Sequence, residues 1–140
     1  MTIPSSRIRV VACIIERDGR FLITQRKKES HLGHLWEFPG GKIEAGETPK
    51  QCAVRECREE IGVEVEAGAI LEEVRHDYSD LQVHLYFIKC ELIRGEPRAL
   101  DCADLTWATP EEFSQYRFPE ADRGIIERYV HGRNKESKHV

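Results

Sequence analysis

The stretch from Gly41 to Val63, GKIEAGETPKQCAVRECREEIGV, constrains this chain more than any other, because it writes a loop, one short helix and an acidic face in consecutive residues. Thr48 can cap the helix, Pro49 sits where no amide hydrogen is needed, and Gln51 can reach back to close a capping box. Gly62 suits the left-handed turn that follows a last helical carbonyl. Between these signals Val54, Cys57 and Ile61 recur at steps of three and four, which makes one apolar stripe to press on a core. Glu56, Glu59 and Glu60 fall on a different face, within about a 100° arc at roughly 100° per residue.

Like charges at these spacings cost about a few tenths of a kcal/mol per pair, and no residue between them neutralises that face. A cation would. Hard carboxylate oxygens suit Mg²⁺ or Mn²⁺, which keep several waters and bind jointly with substrate phosphates. The plainer alternative is a solvated acidic face with Arg55 and Arg58 as surface partners. The flanking loop favours the cation. Phe38, Pro39, Gly40 and Gly41 precede the helix, and paired glycines allow close approaches that a side chain would forbid. Glu47 stands eight positions before Arg55, so a charge-assisted contact between them can fasten the loop to the helix.

Gly41, five residues, Glu47, seven residues, then Arg55-Glu56-Cys57-Arg58-Glu59-Glu60-Ile61-Gly62-Val63 resembles the Nudix box, with every fixed polar and glycine position filled. Cys57 stands where the family usually has an aliphatic residue, and as a small hydrophobe it preserves the stripe. The resemblance implies hydrolysis of a nucleoside diphosphate linked to another group. It also implies metal binding by Glu56, Glu59, Glu60 and the Gly40 carbonyl, with Glu47 as a ligand through water, and a site shaped by Glu47 and Arg55. The carboxylates share metal binding and general-base duty, and the sequence does not say which takes the proton. Glu44 reads as a solvated loop acid.

The similarity runs on through Thr24-Gln25-Arg26, Leu35-Trp36-Glu37-Phe38-Pro39-Gly40-Gly41-Lys42, Gly95-Glu96-Pro97, Trp107 and Phe118-Pro119-Glu120-Ala121-Asp122, which resemble the MutT branch over most of residues 7 to 130. That branch converts oxidised purine nucleotides, typically 8-oxo-dGTP, to the monophosphate and pyrophosphate. On this resemblance Arg26, Phe38, Gly41, Lys42 and Asp122 contact substrate, Arg26 by holding phosphate and Phe38 by touching the nucleobase. Trp36 reads as core ahead of base stacking. Asp122 replaces an Asn that reads the purine edge. An amide donates and accepts, whereas an ionised carboxylate only accepts, so Asp122 either prefers the donor face of a base or must be protonated to imitate Asn. A related branch acting on CTP and modified pyrimidine nucleotides carries an Asp in a similar setting and is the nearest alternative. An N-cap for the last helix is the structural alternative for Asp122. Asp101 and Asp104 precede the Trp107 strand, where MutT-like proteins often supply a further acid.

The 140 residues fit one domain, expected over 1–130, followed by a polar tail over 131–140, HGRNKESKHV. A net charge of -4 gives no basic field for nucleic acid, so the expected partner is a small nucleotide whose charge bound metal offsets. A nucleotide-sugar or dinucleotide substrate, and a silent nucleotide- or RNA-binding module, are further alternatives; the intact carboxylate set argues against the silent module. Five cysteines without a C-x-x-C spacing point to reduced thiols in a cytoplasm. His31 and His34 read as loop residues. No apolar run is long enough to cross a membrane, and Met1 to Ser6 has no leader pattern.

Arg7 to Glu16 is almost continuously apolar and β-branched, as expected of a central strand covered on both faces. Asp18-Gly19 turns it into a hairpin with Phe21 to Arg26. Val63 to Val74 reads as one or two strands around Gly68, Gln82 to Ile93 as a long strand, and Leu105 to Ala108 as a short one. A brief helix opens at Thr109-Pro110, and another over Phe118 to about Val130 turns Ile125, Ile126 and Tyr129 inward. The order predicts an α+β fold, helices against a mixed sheet. This agrees with the α/β/α sandwich and catalytic loop-helix-loop that the Nudix resemblance implies.

Overall fold

The computed structural model describes residues 7–30, 32–79 and 81–132. The expectations for Met1 to Ser6, for His31 and for the tail from residue 133 lie outside the described residues.

Strand β1 (Arg7–Arg17) is the axis of the molecule. It turns through Asp18 and Gly19, both at positive φ, into antiparallel β2 (Arg20–Gln25), as the Asp-Gly signal predicts. Its other edge pairs in parallel with β6 (Leu81–Arg94), from Arg7 opposite Gln82 to Ile15 opposite Cys90. Two-residue β3 (Trp36–Glu37) and β7 (Asp104–Ala108) pair with β2, short β4 (Gly40–Lys42) pairs with β1, and β5 (Glu64–Tyr78) pairs with β6. The result is one seven-stranded mixed sheet. The segment expected to form one or two strands around Gly68 is a single strand, with register shifts between Ala67 and Glu72.

Because side chains alternate along a strand, β1 feeds two cores. Val11, Cys13 and Ile15 point to one, with Ile88 and Cys90 of β6, and helix α1 (Pro49–Ile61) closes it with Cys52, Ala53, Cys57 and Ile61. Val54, expected in the stripe, is only partly buried, because the face turned to the core is centred nearer Ala53 and Cys57. Ala12 and Ile14 point to the other core, with Phe21, Phe38, Leu85 and Phe87. That side is covered by a 3-10 helix, Pro110–Gln115, and by a C-terminal helical run of a 3-10 turn (Glu120–Asp122), an α turn (Arg123–Ile125) and a π turn (Ile126–Val130). Ile125 and Val130 are buried there, and Ile126 and Tyr129 pack partly buried against them.

The capping box of α1 forms as written: Thr48 Oγ1 accepts from Gln51 N at 3.1 Å, and Gln51 Oε1 accepts from Thr48 N at 2.9 Å. Gly62 ends the helix at φ 70°. The fold therefore sets one acidic helix and one helical run on opposite faces of a sheet, with β4 near both.

Candidate active site

Strand β4 lies along β1, with Gly40 opposite Ala12 and Gly41 opposite Val11, and is extended at its ends by Cys13 N to Pro39 O and Ile43 N to Arg9 O bonds. A β-carbon on Gly40 would drive into the Val11 carbonyl, and one on Gly41 into the Glu56 carboxyl. The two glycines thus let the backbone come directly against α1 and β1. Glu60 Oε1 accepts the Gly40 amide at 3.0 Å, and Cys52 Sγ reaches the Gly41 and Lys42 carbonyls at 3.7 and 3.4 Å. The contact at Gly40 is made through its amide.

Arg55 organises the acids. Its Nε donates to Glu47 Oε2 at 2.7 Å and its Nη2 to Glu47 Oε1 at 3.0 Å, the expected clamp between loop and helix. Its Nη2 also donates to the Lys42 carbonyl at 3.0 Å. Its Nη1 reaches Glu56 at 2.8 Å and Glu59 at 3.2 Å. This corrects the expectation that nothing neutralises the acidic face. Side-chain length explains the difference: a guanidinium at position 55 spans both the adjacent carboxylate and the one four residues on. Glu44 is mostly exposed, 3.6 Å from Arg55, as expected of a loop acid.

The three helix acids are not equivalent. Glu59 is exposed, Glu56 is half-buried, and Glu60 is only 9 % exposed, so the acidic face is not a uniformly solvated one. Arg55 holds Glu47 down to about 2 and is itself held above its usual range, chiefly by Glu47. Burial pushes Glu56 up against the pull of Arg55. Burial pushes Glu60 well up too, with repulsion from Glu37, Glu56 and Asp101 added, and the Gly40 amide offsets only part. Among the described residues no three acidic, histidine or cysteine groups converge on a ready-made metal position. The donor set nevertheless fits a hard cation: carboxylate oxygens beside a glycine backbone, two of them joined through one arginine and the third buried next to the Gly40 amide.

On the other face of the sheet, β4 borders a cavity of about 270 Å³ whose walls include Ile8, Val10, Val83, Leu85 and Phe38, with Gly40, Gly41 and Lys42 along one side. Four charged residues line it: Arg26, Glu37, Lys42 and Asp122. Arg26 Nη1 donates to Glu37 Oε1 at 3.0 Å and Oε2 at 3.2 Å. Burial pushes Glu37 up, and Arg26 offsets part of that. Phe38 is 2 % exposed, its ring set among Phe87, Phe113 and Phe118, so it supports the cavity from the aromatic core. Trp36 meets Tyr116 edge-on at 5.0 Å, in keeping with its core reading.

The structure separates the two loop acids. Asp104 Oδ1 accepts the Leu105 amide at 2.8 Å, a local turn role. Asp101 pairs with Lys27, its amide donates to the Glu60 carbonyl at 3.1 Å, and its charge raises Glu56 and Glu60. Asp122 stands at the head of the α turn but makes no capping bond, which corrects the N-cap alternative. Glu37 and Tyr78 were missed as cavity residues. An acid between Trp36 and Phe38, just before paired glycines, was a usable signal for Glu37; Tyr78 arrives through the long β5–β6 pairing and carried none.

This combination of loop, capped helix and acidic turn is matched by comparison with known proteins: residues 10–128 fit the NUDIX domain family. The chain is a member of the Nudix hydrolase family. It is 39% identical over 123 residues to the CTP pyrophosphohydrolase of Escherichia coli (strain K12), covering 88% of this chain and 91% of that one. It is 33% identical over 116 residues to the 8-oxo-dGTP diphosphatase of the same organism, covering 83% and 90%. The solution structure of the E. coli ORF135 protein superposes with a TM-score of 0.77 at 38% identity, covering 91% of each chain. Nudix hydrolases generally require a divalent metal. Among the described residues no helix is long and apolar enough to cross a membrane.

Proposed function

We propose that this Nudix hydrolase cleaves nucleoside triphosphates to the monophosphate and pyrophosphate, with 8-oxo-dGTP as its preferred substrate and Mg²⁺ or Mn²⁺ as cofactor. The observation that carries the reading is that β4 borders both the acidic face of α1 and the cavity, so a base seated in the cavity directs its phosphates along Gly40 and Gly41 towards the carboxylates. The cavity suits a base: apolar walls with a few polar groups are what orient a small planar ligand.

In this reading Glu56, Glu59 and Glu60 hold the cation, and Glu47 keeps Arg55 in place so that the carboxylates face β4. Held there, a cation would offset charge at the phosphate oxygens and lower the pKa of a water. One of the helix carboxylates would take the proton from the attacking water as the new phosphorus–oxygen bond forms, and the bridging phosphorus–oxygen bond would break to give the monophosphate and pyrophosphate. Arg26 and Lys42, at the cavity, attract the anionic substrate, and Asp122 meets the base. The free state of all five cysteines supports a reducing, cytoplasmic compartment.

A second reading, CTP as substrate, is favoured by a specific observation: Asp122 stands where the oxidised-purine pattern has Asn, and the relative named CTP pyrophosphohydrolase shares 39% identity. Comparison of kcat/KM across 8-oxo-dGTP, dGTP, CTP, dCTP and 5-methyl-dCTP decides between them. A preference for 8-oxo-dGTP over dGTP and over the cytidine compounds is expected. A preference for the cytidine compounds moves the protein to the second reading, and silence across the panel ends both.

A further inference from the structure

Strand β5 forms one end of the sheet, and among the described residues no strand lies along its outer edge. Its two halves differ. Over residues 64–71 the pairing with β6 slips repeatedly and the strand contains Gly68, and a bulged edge is a poor template for another strand. Over residues 72–78 every residue has one partner on β6, from Glu72 opposite Phe87 to Tyr78 opposite Leu81. This half carries no proline, glycine, lysine or bulge, the usual devices that keep an edge from pairing. A regular open edge presents its alternate amides and carbonyls to whatever strand comes alongside.

The side chains say which strand fits. Glu73 lies opposite Tyr86 and Arg75 opposite His84, so both stand on the face that α1 partly covers, and both are exposed. Glu73 turns Oε1 to His84 Nε2 at 2.9 Å, while Arg75 makes no hydrogen bond or ion pair among the described residues. Val74, between them, packs against the other core, and by alternation Glu72 and His76 share its face.

We propose that residues 72–78 are the docking edge for a second copy of this chain, the two β5 strands running antiparallel about a two-fold axis at Val74. About that axis Glu73 of each copy lies opposite Arg75 of the other, and Glu72 of each lies opposite His76 of the other. The unmatched guanidinium thus gains a carboxylate twice over. Neighbouring registers do worse. An axis at Glu73 sets that acid against itself, one at Arg75 brings the two guanidiniums together and Glu73 against Asp77, and one at His76 leaves Glu73 without a cation. The match is of the strand with its own sequence, which is why the occupant is a second copy. Tyr78 ends the docking stretch and lines the cavity, so the interface runs up to the site without entering it.

The test is sedimentation equilibrium of the full chain between about 5 and 200 µM, the span in which a small interface dissociates. The wild type is expected to pass from one to two copies of the 16.2 kDa chain across that span. Arg75→Glu and Glu73→Arg each turn two attractive pairs repulsive and should raise the dissociation constant at least about tenfold. The double variant Glu73→Arg with Arg75→Glu restores every pair with signs exchanged and should return to within about threefold of the wild type. A wild type that stays single at the highest concentration overturns the proposal. So does a dimer that neither reversal weakens, or a double variant no tighter than the single ones. Thermal melting establishes that each variant is folded. Should any fail to fold, as Glu73→Arg could on losing its bond to His84, amide hydrogen exchange of the wild type at the two ends of the span decides. Slower exchange over residues 72–76 in the concentrated sample supports the paired edge, and equal exchange overturns it. None of these readouts depends on which nucleotide the enzyme cleaves.

Discussion

The acidic platform on α1 and the cavity behind β4 are built in opposite ways. The platform comes from consecutive residues, Gly40 to Ile61, and its charges are matched in place: Arg55 alone contacts Glu47, Glu56 and Glu59. The cavity is assembled from β1, β5, β6, the end of β2 and the C-terminal helical run, and the Asp122 carboxyl on its wall makes no capping bond. A local, internally braced platform can serve any phosphate chain. A site gathered from distant elements can change one lining residue without disturbing the rest. The contrast predicts that damage to the platform removes the reaction, while damage to the cavity changes which base is accepted.

The largest effect should come from the platform acids. Glu59→Gln and Glu60→Gln are expected to lower kcat by about 10²–10⁴-fold on every nucleotide tested, the range for losing a positioned acid or base, with the melting temperature held. Loss on one base only would break the comparison, because it would give the platform a say in specificity. Next comes the brace. Arg55→Gln strips Glu47 of two charge-assisted bonds and is expected to cost about 2–3 kcal/mol, a fall of several degrees in Tm by calorimetry.

The same brace has a pH signature. Glu47 titrates at about 2 in the fold against its ordinary 4.5, so the stabilisation it gives is complete above about 4.5 and is lost as pH falls towards 2. Denaturant titrations should therefore show the wild type losing stability more steeply than Glu47→Gln between pH 5 and about 2. Parallel curves would remove the brace from the account. The smallest effect is expected at Asp104, whose carboxyl accepts the Leu105 amide: Asp104→Ala should cost about 1 kcal/mol or less and leave kcat/KM unchanged. A large loss of rate would reassign the loop acid.

What the sequence made legible follows the same division. Thr48, Pro49, Gln51 and Gly62 act within one helix, and Asp18-Gly19 within one turn, so their signals needed no knowledge of the rest of the chain. The Glu47–Arg55 clamp was legible because eight residues of loop and helix suffice to bring the groups together. The reach of Arg55 to Glu56 and Glu59 was not, since it depends on a rotamer. The burial of Glu60 under β4 and the placing of Phe38 in the aromatic core depend on how α1 and the C-terminal run settle on the sheet. Tyr78 lies forty-one residues past Glu37, and only the parallel β1–β6 register and the β5 hairpin bring both to one cavity.

The measurement that tests the central claim most directly is Mg²⁺-dependent product formation from 8-oxo-dGTP, followed by phosphorus NMR for the wild type and Glu60→Gln. The account predicts equal amounts of monophosphate and pyrophosphate from the wild type, dependent on added Mg²⁺, and almost none from the variant. Stepwise release of inorganic phosphate, or full turnover by Glu60→Gln, would contradict it.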